Sequence, residues 1–248
     1  WAYIWVAQGI NGGAAAGGRG DSMVGDLSAV SRTAEMKLKA LFSKLENSLV
    51  KAQSGNACNG VKTWMTNTGT FEGISLTNAY WQPALKDASS AKVTLAMIRE
   101  VLAQMSDNDA SDFDEIWVSA TQYNLLETAL ASRIQYVDID NGVEGLIRTF
   151  TIDGKPVIKI DAMEPTGNGV RDEIWFVNTM QMSLHFLPQD APDGENQQTE
   201  GGEYEGFPIG IKPTDPGHDA EAIIYKCYPQ LLCYNPSKFG AIYDAAVS

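Results

Sequence analysis

The sequence predicts an α+β fold. Three observations carry that expectation: a long helical period over Asp26 to Gln53, a hairpin signal centred on Asp153 and Gly154, and strands mixed with helices without a regular βαβ repeat. No internal repeat is present. The chain has 248 residues, 44% hydrophobic and 20% charged, which is enough for one large domain or two small ones.

The elements follow in chain order. Trp1 to Gln8, "WAYIWVAQ", is aromatic and β-branched and predicts a strand. Gly9 to Gly18 holds glycines and alanines with little to pack, so a flexible loop tip is expected there. From Asp26 to about Gln53, Leu38, Leu41, Phe42, Leu45 and Leu49 share one helical face, while Glu35, Lys37, Lys39, Lys44 and Glu46 fall mostly off it. Asp26 is the expected N-cap and Gly55 the expected stop of a helix about 40 Å long at 1.5 Å per residue.

Asn56 to Ser90 is rich in Gly, Thr and Asn and predicts irregular strand and loop, with Trp64, Phe71, Tyr80 and Trp81 as anchors. Helical spacing returns over Ala91 to Met105 through Leu95, Ile98, Leu102 and Met105. In Asp114 to Leu130, "DEIWVSATQYNLLETAL", the apolar run Ile116 to Val118 breaks at Ser119 and an amphipathic helix follows. Ser119 and Gln122 are spaced as a capping box, so a buried strand hands directly to a helix.

Thr149 to Asp161 predicts a hairpin with Asp153-Gly154 at its turn. Glu173 to Leu187 reads as a strand pair or a bent strand, and Gln189 to Glu205 as an exposed acidic loop. In Ala222 to Ser248, "AIIYKCY" and "LLCYN" read as strands, followed by a short helical or extended end with Phe239, Ile242 and Tyr243.

Charge and chemistry narrow the function. A net charge of -13 without a Lys/Arg cluster argues against gripping the outside of a nucleic acid. No apolar run approaches the roughly 18 residues of a membrane span. Cys58, Cys227 and Cys233 fit no zinc or disulfide spacing and are expected reduced, as in an intracellular protein. Trp1 stands where an initiating Met is expected, so either processing has removed an N-terminus or the chain is part of a longer one.

Gly13 to Gly20, "GAAAGGRG", matches the glycine frame of a phosphate loop, but Arg19 replaces its lysine and Gly20 its Ser or Thr. The tripeptide Arg19-Gly20-Asp21 is an adhesion sequence too short to carry weight. His185, between Leu184 and Phe186, is expected to be packed, and His218, near Asp219 and Glu221, to lie in a solvated loop. Asp190, Asp193, Glu195, Glu200, Glu203 and Glu205 lack the spacing of a calcium loop. Ser119 has no surrounding nucleophile elbow, and capping accounts for it. No catalytic, cofactor-binding or metal-ligating residue is therefore expected, and the chain is read as a non-enzyme.

The order of the pieces resembles the major capsid proteins of tailed bacteriophages, the Hong Kong ninety-seven type fold shared with encapsulin shells. The pieces are a glycine-tipped hairpin, a long helix, "GTFEGI" at Gly69 to Ile74, a helix at Ala91 to Met105, then "DEIWVSATQYNLLETAL", "IDGKPVIKID", "DEIWFVNTMQMSLHFL" and "PQLLCYNPSKFGAIYDA". The resemblance implies an extended-loop remnant at residues 1–25, a peripheral domain with a spine helix at 26–90, an axial domain at 91–219 and a return to the peripheral domain at 220–248. It implies a virion capsid assembled in the host bacterial cytoplasm, built of pentamers and hexamers and enclosing double-stranded DNA without sequence-specific binding. Decoration, portal and scaffolding proteins are the further partners it implies, with no membrane and no cofactor. No N-terminal arm is identifiable, and residues up to Gly25 contain no lysine for the crosslink some relatives form.

The physical expectations agree with that resemblance. A shell subunit needs no active site, and a closed assembly gains stability through many weak symmetric contacts. Two alternatives stay open: an encapsulin-like compartment around a cargo enzyme, and an acidic carbohydrate-active or carbohydrate-binding protein with Trp64, Tyr80 and Trp81 as a sugar platform.

Overall fold

In the computed structural model, the described residues are 4–11, 23–52, 58–107, 113–130, 135–139, 147–186, 200–204, 207–214 and 220–247. Their elements in chain order are β1 (Ile4–Asn11), α1 (Met23–Val50), β2 (Thr70–Phe71), β3 (Ile74–Ser75), β4 (Ala84–Asp87), α2 (Leu95–Asp107), β5 (Glu115–Val118), α3 (Ala120–Leu130), β6 (Gln135–Ile139), β7 (Ile147–Ile152), β8 (Lys155–Lys159), β9 (Ile174–Val177), β10 (Met182–Phe186), β11 (Glu200–Tyr204), β12 (Phe207–Thr214), β13 (Ala220–Cys227), β14 (Pro229–Cys233) and β15 (Gly240–Tyr243). Helix and sheet are mixed, as an α+β fold requires. The chain divides into two compact units. One comprises Trp1–Ser48, Ser54–Cys58 and Leu184–Gln230; the other comprises Leu49–Gln53, Asn59–Ser183 and Leu231–Ser248.

The first unit holds most of α1 and an antiparallel sheet of order β1-β13-β12-β11. On α1, Leu41 and Leu45 are buried, while Met36 on another face is 70% exposed. Glu35 and Lys39 form an ion pair one turn apart at 2.8 Å. The helix starts at Met23, so Asp26 is its fourth residue and not its cap. Aspartate suits the first turn as well as the cap, and spacing alone does not separate the two positions. Gly55 lies outside the described residues.

Gly9, Ile10 and Asn11, expected in a loop tip, continue β1 and pair with Ala222, Glu221 and Ala220. The expected acidic loop likewise contains β11, and β12 follows where no strand was expected. Glycine and proline hid both strands, yet the ladder accommodates them. Pro208 pairs only with β11 and Pro213 only with β13, so each proline sits where β12 has one neighbour and needs no second donor.

The second unit is built on a sheet of order β4-β15-β9-β5-β8-β7-β6. β5 runs parallel to β8 and β4 parallel to β15, while the other neighbours are antiparallel. All four residues of β9, "IWFV", are buried, which is why it reads as an unbroken apolar run. Helix α2 packs on β4 and β15, and α3 on β8 and β5. Ile98, Val101 and Met105 of α2 meet Ile116, Val118, Phe150, Val157, Phe176 and Ile242 in one apolar core with Tyr123 and Leu126 of α3.

The β7–β8 turn has Asp153 at φ 54° and Gly154 at φ 77°, the left-handed pair that a two-residue hairpin needs. Helix α2 begins four residues later than its apolar spacing predicts: Thr94 Oγ1 accepts the Met97 N–H at 3.3 Å, and the Ala91 carbonyl is taken by the Ala246 N–H at 3.0 Å. Glu173 to Leu187 resolves into β9, a single 3-10 turn and β10, with Asn178 Oδ1 capping the turn by accepting the Met180 N–H. The segment 220–248 does not stay together: β13 lies in the first unit and β15 in the second, beside β4.

Candidate functional site

The β5–α3 joint is where an α/β enzyme would place a reactive group, and here its residues are committed to structure. Ser119 is wholly buried. Its hydroxyl donates to the Arg171 carbonyl at 2.8 Å and accepts the Gln122 N–H at 3.2 Å, so the first half of the expected capping box forms. The reciprocal half does not. The Gln122 side chain donates instead to the Ala246 carbonyl at 2.8 Å, tying the start of α3 to the segment after β15.

A carboxylate from a distant loop completes the helix start. Glu164 accepts the Thr121 N–H at 3.0 Å and the Thr121 hydroxyl at 2.6 Å, and Arg171 Nε lies 3.0 Å from the same carboxylate. Arg171 Nη2 donates to Thr121 Oγ1 at 2.9 Å. Burial pushes the Glu164 carboxyl up, but the Thr121 donors and the Arg171 charge outweigh it and hold it below the usual range. The anion also complements the positive end of the helix dipole. A carboxyl whose pKa is lowered is a weaker base toward the Thr121 hydroxyl it accepts, and Ser119 donates to a backbone carbonyl, which cannot take its proton. Sequence reasoning found Ser119 but missed Glu164 and Arg171, because neither is near it in the chain.

Three other carboxylates are also engaged in structure. Glu173, 4% exposed, is ion-paired with Lys62 and accepts Trp175 Nε1 at 2.6 Å. Burial pushes its carboxyl up, with Lys62 and Trp175 opposing. Asp114 accepts the Thr179 N–H at 2.8 Å and its hydroxyl at 2.7 Å, and Asp244 accepts the Ser90 hydroxyl at 3.1 Å.

The remaining sequence candidates are not brought together. His185 lies on the exposed side of β10 rather than packed, because the alternation of the strand turns it outward while Leu184 and Phe186 are half-buried. The "GAAAGGRG" stretch, Arg19-Gly20-Asp21, His218, Asp219 and the acids Asp190, Asp193, Glu195 and Glu205 lie outside the described residues. Among the described residues no three His, Cys, Asp or Glu side chains are grouped as metal ligands, and no helix is long and apolar enough to cross a membrane. None of the three cysteines is in a disulfide, and burial pushes the Cys227 and Cys233 thiols up to about 12.

The sugar platform is overturned as drawn. Trp64 is wholly buried, packed against Phe71 and Phe239 at ring centroid distances of 5.4 and 6.0 Å, so it has no face for a sugar ring. Tyr80, expected as an anchor, is 90% exposed.

Neither a family model nor a curated protein matches the sequence. Solved structures do match the fold. The capsid asymmetric unit of cyanophage A-1(L) superposes with a TM-score of 0.71 at 15% identity, covering 99% of this chain and 77% of that one. The encapsulin complex of Synechococcus elongatus gives 0.61 at 11% identity, covering 100% of this chain and 75% of its counterpart. The capsid of a native GTA particle gives 0.53 at 9% identity, over 99% and 73%. The chain therefore has the capsid fold of the Hong Kong ninety-seven type over its whole length.

Proposed function

We propose that this chain is the major capsid protein of a tailed phage, a structural subunit whose copies assemble as pentamers and hexamers into an icosahedral shell around double-stranded DNA. The observation that carries the reading is the match of 99% of the chain to a capsid subunit, at a TM-score of 0.71. The β5–α3 joint supports it from the other side, since each polar group there holds strand, helix and loop together. The net charge of -13 fits a container that must not grip the nucleic acid it holds.

Within this reading the unit carrying α1 takes the peripheral role and α1 is its spine. The unit built on the seven-stranded sheet takes the axial role and gathers with its copies around the five-fold and six-fold positions. The role is structural and not enzymatic, the location is the virion after assembly in the host cytoplasm, and portal, scaffolding and decoration proteins are further partners. The encapsulin likeness favours a second reading, in which the same shell encloses a protein cargo.

Sedimentation of the purified chain, followed by nuclease treatment and extraction of the particles, tests both. Fast-sedimenting shells from infected cells with nuclease-protected double-stranded DNA are expected. Shells holding only protein would transfer the reading to the compartment, and a chain sedimenting as one or two subunits at every salt concentration would overturn both.

A further inference from the structure

The seven-stranded sheet ends in β4 on one side and β6 on the other, and neither has a second strand neighbour among the described residues. On β4 the inward groups are fixed by the ladder: the Ala84 N–H donates to the Phe239 carbonyl at 3.0 Å and the Ala88 N–H to the Tyr243 carbonyl at 2.9 Å. Backbone groups alternate sides along a strand, so the N–H and C=O of Leu85 and Asp87 point away from β15. An open edge of this kind is a template for another extended chain.

A groove of about 290 Å³ lies at the start of β4, where Ala84 and Leu85 line it together with Asn67, Ala79, Gln82, Pro83 and Gln104. It carries no charged side chain. Its three primary amides each donate and accept, which suits a peptide backbone of any side-chain sequence. Nearby, Tyr80 stands 90% exposed in the turn that leads to β4.

We propose that the outer edge of β4 and its groove form an inter-subunit contact that receives an extended segment of a second copy of this chain. The inference rests on the shell reading and adds where one contact lies. Charge favours that occupant: the groove carries no charged side chain to repel an acidic copy, and Lys86 on β4 is already paired with Glu100 at 2.8 Å, so neither offers a free cation to a phosphate backbone. The sheet itself supplies a complement, because β6 at its other end also has one strand neighbour among the described residues of the same unit. A head-to-tail contact between two different patches closes into rings when the rotation permits.

The test uses the full chain. Ala79 is exposed, so Ala79→Arg fills the groove and charges it without touching the core. With an unchanged melting curve, the variant is expected to need at least a tenfold higher subunit concentration for half-assembly. Separately, Ala79→Cys carrying a benzophenone maleimide is irradiated in assembled particles; the native thiols are buried, so the label selects position 79. A photo-crosslink to a peptide of a second copy is expected, and it alone decides if Ala79→Arg proves unstable. Assembly of Ala79→Arg at the wild-type concentration, or a crosslink to another protein or to nucleic acid, overturns this contact while leaving the shell reading intact. Failure of the wild-type chain to assemble at all removes both.

Discussion

Glu164 and Glu173 are the same residue in the same stretch of chain, yet their carboxyls are displaced in opposite directions. Glu164 has two Thr121 donors, the Arg171 guanidinium and a helix N-terminus in front of it, and is held low. Glu173 is buried in the sheet with Lys62 and Trp175 as partners, and desolvation wins. In an enzyme such a split marks an acid and a base facing one substrate. Here each carboxylate is engaged by a separate seam of the fold, and the contrast records which partners each seam supplies.

Removing the centre of the Glu173 seam should have the largest effect. Trp175→Ala deletes a wholly buried ring and the donor to Glu173, and is expected to lower unfolding free energy by about 4 kcal/mol in urea titration. Gly240→Ala comes next, because its Cβ would stand 2.7 Å from Met105 Sδ and 2.9 Å from Val101 Cγ1. A loss of about 2 kcal/mol is expected, read as a lower midpoint with unchanged slope.

Ser119→Ala at the other seam removes a helix cap and the donor to the Arg171 carbonyl, for about 1 kcal/mol. The smallest effect is at Glu164, which is a third exposed: Glu164→Gln should cost about 0.5 kcal/mol at neutral pH after solvent screening.

The pH dependences sharpen the contrast, since they have opposite signs. Glu164 binds its proton less tightly folded than unfolded, so its contribution is present above the ordinary carboxylate pKa of 4.5 and is lost as pH falls through the lowered value. Glu173 binds its proton more tightly folded, so stability falls as pH rises from 4.5 through the raised value and then levels. Glu173→Gln should remove the second slope and leave the first, and Glu164→Gln the reverse, in melting curves taken across acid pH. Equal slopes in both variants would end the comparison.

What the sequence made legible was local. The α1 face through Leu41 and Leu45, the Asp153-Gly154 turn and the Ser119 cap each rest on neighbours a few residues apart. β11 and β12 escaped because their pairing, not their Gly- and Pro-containing composition, makes them strands. The placement of β15 beside β4 and the Glu164–Arg171 support of α3 escaped for the same reason, since they join residues far apart in the chain.

The most direct test of the central claim is an electron cryo-microscopy reconstruction of the purified protein. The account predicts closed shells of uniform diameter in which pentamers and hexamers of this subunit meet, with Ser119 still bonded to the Arg171 carbonyl. Particles of one or two subunits at every salt concentration, with a ligand bound at the β5–α3 joint, would contradict it.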